Sequence, residues 1–458
     1  MIDKKVTAVI FEGGKPSSEI EHDLVKLRQA MVLDNVERFL QVDEIDKVIV
    51  ATNYPELKKA LQDKNVVVDF DFGVYHFGTR LKNIINKYNL TSVFYIGGAA
   101  GPLLTVKEMS DFSKQVLENP GMVLTNNVQS ADLMVFSPAD IINKLPHLPQ
   151  SDNPLANMLR NVGLNKVLMP HSTGIHFDID TPTDMLVLSI HPALGKHTKQ
   201  AFKHIQYDSS HLIKAKYTLA VPYTDVLMSG RIGSPVITQL NTNVRCRLRV
   251  YSEERGMKSL GRMQKNMVTS LLGHLMELKG EQEFFNYLAS LAKVAFIDTR
   301  VLFAHKKMHL SDNDRFYADL LMPEKIENEW ARQFTMAVKN APIPIVVGGH
   351  SLVAGGMWAI IDTLLYEDKL RYSKNKLYSI IIPNSLKNKE FAAILKTMPA
   401  KTQVYGLTRN STPEHRAFTF LNPRPNQIVE EGWKMHVAAP INTIKKMENN
   451  GWQLEFTK

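Results

Sequence analysis

The 458-residue chain has a single cysteine, Cys246. That excludes an intrachain disulfide framework and any zinc or iron–sulfur centre built on several thiolates. Long apolar runs are missing too. The most hydrophobic stretches, 343–347 and 380–382, fall far short of the ~20 residues a spanning helix needs. Low-complexity blocks, internal repeats, Lys/Arg runs and aromatic-interleaved basic stripes are also lacking, so neither disorder nor nucleic-acid binding is expected. The first residues, MIDKKVTAVIF, run directly into a strand rather than a secretory leader, and a cytoplasmic protein is expected.

What is present is an ordinary globular composition with a basic tilt. With 44% hydrophobic residues, a chain of this length has material for two to four cores at roughly 150 residues per domain. Lys and Arg number 55 against 46 Asp and Glu, a formal charge of +9, which favours anionic partners such as nucleotides and sugar phosphates.

Strand-like and helix-like segments alternate over the first ~190 residues. Strands are expected at 6–11, 47–52, 66–70, 92–96, 122–125, 133–136 and 166–169, with helices at 24–40 and 153–162. This alternation predicts an α/β fold, an open, mostly parallel sheet with helices on both faces. A second α/β domain follows, with a long helical region at 265–291, a helix at 328–340, and a strand–turn–helix at 343–365. The remainder, with strands at 378–382, 403–407, 417–421 and 434–438, reads as a small β-rich subdomain that could serve oligomerisation. The expected domains are therefore 1–204, 205–372 and 373–458.

Three sites fall at the carboxyl ends of predicted strands, where open α/β sheets bind ligands. In Phe11-Glu12-Gly13-Gly14-Lys15, paired glycines let backbone N–H groups approach a phosphate and Lys15 adds charge; a plain tight turn is the alternative. The second is Ile96-Gly97-Gly98-Ala99-Ala100-Gly101-Pro102. In the third, Asp178-Ile179-Asp180-Thr181-Pro182-Thr183-Asp184, alternation along a strand end would point Asp178 and Asp180 to one side, as oxygen ligands for Mg²⁺ require. Thr181 and Pro182 have the character of a helix start, with Asp184 in a capping role.

In order and character these pieces resemble the molybdenum-cofactor-guanylyltransferase-like nucleotidyltransferases, which have a GT-A type α/β fold. The resemblance covers about residues 5–190. It implies that AVIFEGG and its Lys15 hold the nucleotide, that IGGAAGPLL with Gly97 and Gly98 forms the second loop, and that DIDTPTD supplies an acidic metal ligand. Two departures stand out. Lys15-Pro16-Ser17-Ser18-Glu19 replaces the family's further glycine and arginine, and Ala99 or Ala100 fills the position of the second loop's metal-binding aspartate.

The middle region is rich in arginine. Arg245, Arg247 and Arg249 alternate with apolar residues, and Arg231, Arg255, Arg262, Arg300 and Arg315 stand among further polar residues. Arginine binds phosphate or carboxylate in fork geometry, so these five are expected to hold an anionic small molecule; an ion-pair network on a solvated face is the alternative. Gly348-Gly349-His350-Ser351 precedes a helix that Ser351 would cap, leaving backbone N–H groups for an anion. Val353 stands where a nucleophile elbow would require glycine. Gly355-Gly356 inside the expected helix point to close packing or close ligand approach. The C-terminal segment resembles the small ligand-sensing C-terminal subdomain of potassium-transport regulators, although Gly432-Trp433 replaces that family's Gly-Asp pair.

Taken together, the expected activity is Mg²⁺-dependent transfer of a nucleotidyl group from a nucleoside triphosphate to a phosphorylated small molecule. Asp178 and Asp180 would hold the metal, with Glu253 and His350 as further candidate catalytic residues and Ser351 beside the arginines at the acceptor. A non-catalytic nucleotide sensor or assembly protein is the alternative. A third reading places a catalytic centre around Glu253, Glu254, His305 and His350.

Overall fold

The computed structural model describes residues 5–455, apart from 72, 129–130, 375, 400–401, 410–417, 422–423 and 440. The chain divides into two compact units, Met1–Thr363 and Leu364–Lys458. The dividing point lies within the helix Gly355–Lys374, as does the expected boundary at 372. Among the described residues, no helix is long and apolar enough to cross a membrane.

The first unit contains two sheets. Seven strands, β1 (Val6–Glu12), β2 (Ile45–Thr52), β3 (Val67–Phe70), β4 (Val93–Gly97), β5 (Met122–Thr125), β6 (Leu133–Ser137) and β7 (Asn165–Leu168), form one in the order β3-β2-β1-β4-β6-β5-β7. All pairings are parallel except those of β6 with β4 and β5. Period-two alternation explains its two buried faces. Val6, Ala8 and Ile10 of β1 enter one hydrophobic cluster, and Val9 and Phe11 enter the other.

Helix Glu19–Phe39 leaves β1 through a capping box: Ser18 Oγ accepts from Glu21 N, while the Glu21 carboxylate accepts from Ser18 N. The departure at Ser17-Ser18-Glu19 therefore has a structural role as a helix start.

The second sheet is fully parallel, with β8 (Asp225–Gly230), β9 (Arg247–Ser252), β10 (Val294–Asp298) and β11 (Ile345–Gly348) in the order β11-β10-β8-β9. The expected long helix at 265–291 is two helices, Leu271–Lys279 and Glu281–Leu291. Gly280 breaks it with φ at +74°, a conformation that favours glycine.

The helix Pro182–Ser189 ties the sheets together. Thr183 Oγ1 donates to the carbonyl of Val347 at 2.7 Å, and the Cα of Gly348 lies so near Thr183 that a β-carbon would come within 3.0 Å of it.

The second unit is built on an antiparallel five-stranded sheet in the order Phe418–Leu421, Gln403–Arg409, Lys434–Ala439, Lys376–Ile381, Gln453–Glu455. Its core gathers Ile380, Leu407, Trp433, Met435 and Val437 with Ile394 and Met447 from two helices.

Candidate active site

Each sheet of the first unit has a topological switch point, and the chemistry gathers at both. In the first sheet the chain steps from β1 to β2 and β3 on one side and then to β4 on the other, so the switch point lies between the loops after β1 and β4. Among the described residues only the first of these loops lines a cavity, through Gly14, Lys15 and Pro16. Those are the Gly13-Gly14 and Gly97-Gly98 loops. Asn53 holds the first by both ends of its amide, donating to Gly14 O and accepting from Gly14 N at 3.1 Å each.

Gly98 is required by a close approach. A β-carbon there would lie 2.0 Å from Glu12 Oε2, and Gly98 N donates to Phe11 O at 2.7 Å. The Glu12 carboxylate is buried and accepts from Arg28 Nε at 3.2 Å. Burial raises its pKa, with Arg28 opposing.

The Asp178–Asp184 segment docks on the β4 loop. Ile179 N donates to Ala99 O at 2.9 Å, and Ala100 and Asp178 form an isolated antiparallel bridge. The segment is therefore an extended tether with one bridge rather than the expected strand end, and alternation along a strand is not what places its acids. Docking on the loop does so. Thr181 starts the following helix as expected, with its N–H and Oγ1 both donating to Asp184 Oδ2 at 2.8 Å.

Asp178 and Asp180 line a cleft of about 1160 Å³ that also takes its walls from the second sheet. Asp180 additionally lines a neighbouring cavity of about 190 Å³ with Gly14, Lys15, Arg28 and Tyr54. The segment thus brings Asp180 beside Gly14 and Lys15, whereas Asp178 faces only the large cleft and Gly13 lines neither cavity.

Three more carboxylates line this cleft, Asp132 and Asp152 on the same side and Asp312 beside Arg315 on the other. Asp132 precedes β6, and its carbonyl accepts from Gly97 N at 3.0 Å, so it sits at the very loop where alanine replaces the family's aspartate. Asp152 accepts from the buried Tyr95 hydroxyl at 2.9 Å. Burial, then Asp152 and Asp180, push Asp132 up to about 8. Burial, then Asp180 and Asp132, raise Asp178 well above the usual carboxylate range, with Ser351 Oγ donating to its Oδ1 at 2.9 Å. Burial and Asp180 push Asp184 up to about 7. The carboxylates repel one another in a partly desolvated place, a charge a cation would offset, but among the described residues the donor groups close enough to share one ion are instead His274, Glu277 and His305, and Asp34, Glu37 and His197.

Ser351 consequently does not cap a helix. Ser351–Val353 is a single 3₁₀ turn, and the α-helix begins at Gly355. The glycines lie at its start rather than inside it. Gly355 packs so tightly that a β-carbon would be 1.9 Å from His176 O.

The opposite wall comes from the carboxyl ends of the second sheet. Arg231, after β8, is clamped by Asp298 at the end of β10, with Nε to Oδ2 at 2.6 Å and Nη2 to Oδ1 at 3.0 Å. Arg300 is clamped the same way by Asp319, at 2.9 and 2.6 Å. Both arginines still line the cleft, as do Arg255 and Arg315.

Arg262 stands apart from the cleft and pairs with Glu254 through two 2.8 Å bonds. Glu253 is also outside it, accepting from Ser270 Oγ at 2.5 Å and Leu271 N at 3.1 Å at the start of helix Leu271–Lys279. His305 is buried beneath that helix and accepts from Ser270 N at 3.1 Å. His350 lines the cleft, where enclosure and then the Arg231 guanidinium lower its pKa. Of the alternating arginines, Arg247 lies at the start of β9 paired with Asp225, Arg249 bonds Leu291 O, and Arg245 precedes the strand.

The fold adds several residues that no sequence motif marks. Asp132 and Asp152 belong to no motif. His171 and His176 contact each other at 2.6 Å and pack against Trp358, 6.1 and 5.3 Å between ring centroids. Burial and His171 lower His176 to about 4, so it is neutral at pH 7. The i, i+5 spacing of these histidines around Ser172 was the available signal.

No protein-family model matches the chain, and no curated protein matches it by sequence. Among solved structures, a CMP:2-keto-3-deoxy-manno-octonic acid synthetase complexed with CTP is similar at 16% identity and a TM-score of 0.31, over 44% of this chain and 100% of that one. A cytidylyltransferase from Leptospira borgpetersenii is similar at 18% identity and a TM-score of 0.35, over 44% and 93% of the two chains. A 4-diphosphocytidyl-2C-methyl-D-erythritol synthase is similar at 11% identity and a TM-score of 0.31, over 40% and 96%. None of the three is a molybdenum-cofactor guanylyltransferase, the family that the motifs resemble.

Proposed function

We propose that this chain is a nucleotidyltransferase that moves a nucleotidyl group from a nucleoside triphosphate to a phosphorylated small molecule. One observation carries the reading. Asp180 belongs to the wall of the large cleft and also to the small cavity of Gly14, Lys15, Glu21 and Arg28, so a carboxylate stands between a phosphate-sized cavity that offers Lys15 and a cleft with room for an acceptor.

In this reading Gly13, Gly14 and Lys15 take the triphosphate, and Arg28, anchored by Glu12, adds a second cation there. Gly97 and Gly98 keep the neighbouring loop free of side chains. Asp178 and Asp180 would hold Mg²⁺, with Asp132 in place of the missing loop aspartate. When bound, the cation neutralises phosphate charge and polarises the phosphoryl oxygen. Ser351 orients Asp178 through its hydrogen bond. The acceptor's phosphate lies on the arginine wall, and a nucleophilic oxygen at its other end, turned toward Asp178 and Asp180, attacks the α-phosphorus as pyrophosphate leaves; His350, neutral and beside Arg231, lines the same cleft.

The loop alanines favour a second reading, a domain that binds nucleotide without reacting. Pyrophosphate release separates the two. The purified full chain, given each nucleoside triphosphate, MgCl₂ and a panel of sugar and alcohol phosphates, should release pyrophosphate with at least one acceptor and lose that activity in Asp180→Asn. Nucleotide binding with no release across the panel would favour the sensor. Absence of nucleotide binding would end both readings.

A further inference from the structure

The arginine wall has a structure of its own that the sequence did not separate into parts. In the second sheet the chain runs from β8 to β9 on one side and then crosses to β10 on the other, so the switch point lies between β8 and β10. Gly230 ends β8 at φ +121°, and a β-carbon there would lie 2.3 Å from that of Asp298 at the end of β10. The strand ends are pressed together and the loops beyond them part into the cleft, the usual place for a ligand of an open α/β sheet.

The arginines at this crevice are not equivalent. Arg231 and Arg300 present guanidiniums whose forks are already filled by Asp298 and Asp319, both buried. Their charges are balanced, each by a two-bond clamp. Arg255 is exposed at the cleft wall and has no ion pair or hydrogen bond among the described residues. Its Nη2 lies 3.8 Å from the point where a β-carbon on Gly233 would stand.

Gly233 is the N-cap of the ten-residue helix Ser234–Asn243, which no side chain caps and which has Pro235 in its first turn. An unpaired guanidinium therefore meets, at the open wall of the cleft, a helix end whose Val236 N–H already donates to Gly233 O, with exposed Lys258 on the same wall. Arg315 comes from the other side. It pairs with the exposed Asp312, but its Nε is buried without a partner.

We propose that the second sheet carries an anion-binding site of its own at this switch point, taking the phosphate of a small phosphorylated molecule on Arg255, Arg315 and the amino end of helix Ser234–Asn243, and filling whether or not the nucleotide site is occupied. It sharpens the acceptor half of the function proposed above, yet depends on it only for the name "acceptor". The cleft's polarity fixes how such a ligand lies, with its phosphate on the arginine wall and its other end toward Asp178 and Asp180. At about 1160 Å³ the cleft is large enough for two small ligands.

The test is calorimetric titration of the full chain with glycerol 3-phosphate and, separately, with CTP and MgCl₂. The proteins are wild type, Arg255→Gln, Arg315→Gln and Lys15→Ala, each checked for unchanged thermal unfolding. Loss of one charge-assisted contact should weaken glycerol 3-phosphate binding by about 10- to 100-fold in either arginine variant, with binding intact in Lys15→Ala. That pattern sustains the site even if CTP fails to bind, in which case only the nucleotidyltransferase reading falls. The proposal is overturned if glycerol 3-phosphate does not bind the wild type. It is equally overturned if Arg255→Gln binds like wild type, or if Lys15→Ala loses as much as Arg255→Gln.

Discussion

Replacing Asp298 by asparagine tests the claim that Arg231 is held by the protein rather than offered to a ligand. The Asp298 carboxylate is wholly buried and the Arg231 side chain is 12% exposed. Two bonds of 2.6 and 3.0 Å join them, and Asp298 also accepts from Arg300 N at 3.3 Å, capping the helix Thr299–His305. Burial alone would raise the Asp298 carboxyl, but the Arg231 guanidinium outweighs it and holds the group below its ordinary value.

Asparagine keeps the shape and removes the charge. Breaking a buried pair from one side costs about 3–5 kcal/mol because the partner's charge stays behind. Asparagine retains one acceptor, so a loss of about 3 kcal/mol is expected, a large share of the ~5–15 kcal/mol that a domain has. Urea unfolding followed by circular dichroism at pH 7 measures it.

The folded pKa of Asp298 is lowered, so its contribution is complete above the unfolded value near 3.8 and fades as the pH falls below it. The gap between variant and wild type should therefore narrow in acid. The double variant Arg231→Met/Asp298→Leu should recover part of the loss, since both charges are gone. A cost below about 1 kcal/mol for Asp298→Asn would refute the reasoning. It would mean that Arg231 turns to solvent and is available as a direct ligand.

Two further outcomes follow from the packing and charge of the cleft. Gly355→Ala should destabilise the first unit by about 1–3 kcal/mol or more, because its β-carbon would enter the backbone of His176 and displace the chain just before Asp178; a variant as stable as wild type in the same urea assay would show that this contact yields freely. Asp132, pushed up to about 8, binds a proton in the folded state that it has lost in the unfolded state from about pH 4 upward, so its contribution becomes increasingly unfavourable until the pH passes about 8. The gain in Tm on adding MgCl₂ should accordingly grow between pH 6 and pH 9 and grow less in Asp132→Asn, where Asp178 still has a proton to lose; equal growth in both proteins would remove Asp132 from the cation site.

The sequence disclosed the framework well and the site in part. Strand periodicity in the first 170 residues located all seven strands of the first sheet, because each is a short β-rich run bounded by turns. Glycines marked the two loops at its switch point. What could not be read was which residues a fold places opposite one another.

Asp132 and Asp152 reach the cleft only through the antiparallel β5–β6 excursion and the loop before helix Leu155–Asn161, and neither has a motif. The arginines of the middle region looked alike because arginine in a clamp and arginine awaiting a ligand have the same local sequence. The partners that separate them, Asp298 and Asp319, lie 67 and 19 residues away. The place of Ser351 after Gly-Gly-His suggests a cap, whereas its hydroxyl is taken by Asp178, 173 residues earlier.

The central claim is that Asp178 and Asp180 bring a divalent cation to a nucleotide on the Gly13-Gly14-Lys15 loop. Isothermal calorimetry of the full chain with nucleoside triphosphates, with and without MgCl₂, tests it most directly. The account predicts binding of at least one triphosphate that MgCl₂ strengthens, with the strengthening abolished in Asp180→Asn and the binding itself weakened in Lys15→Ala. Triphosphate binding that is indifferent to MgCl₂ and unchanged in Asp180→Asn would contradict it.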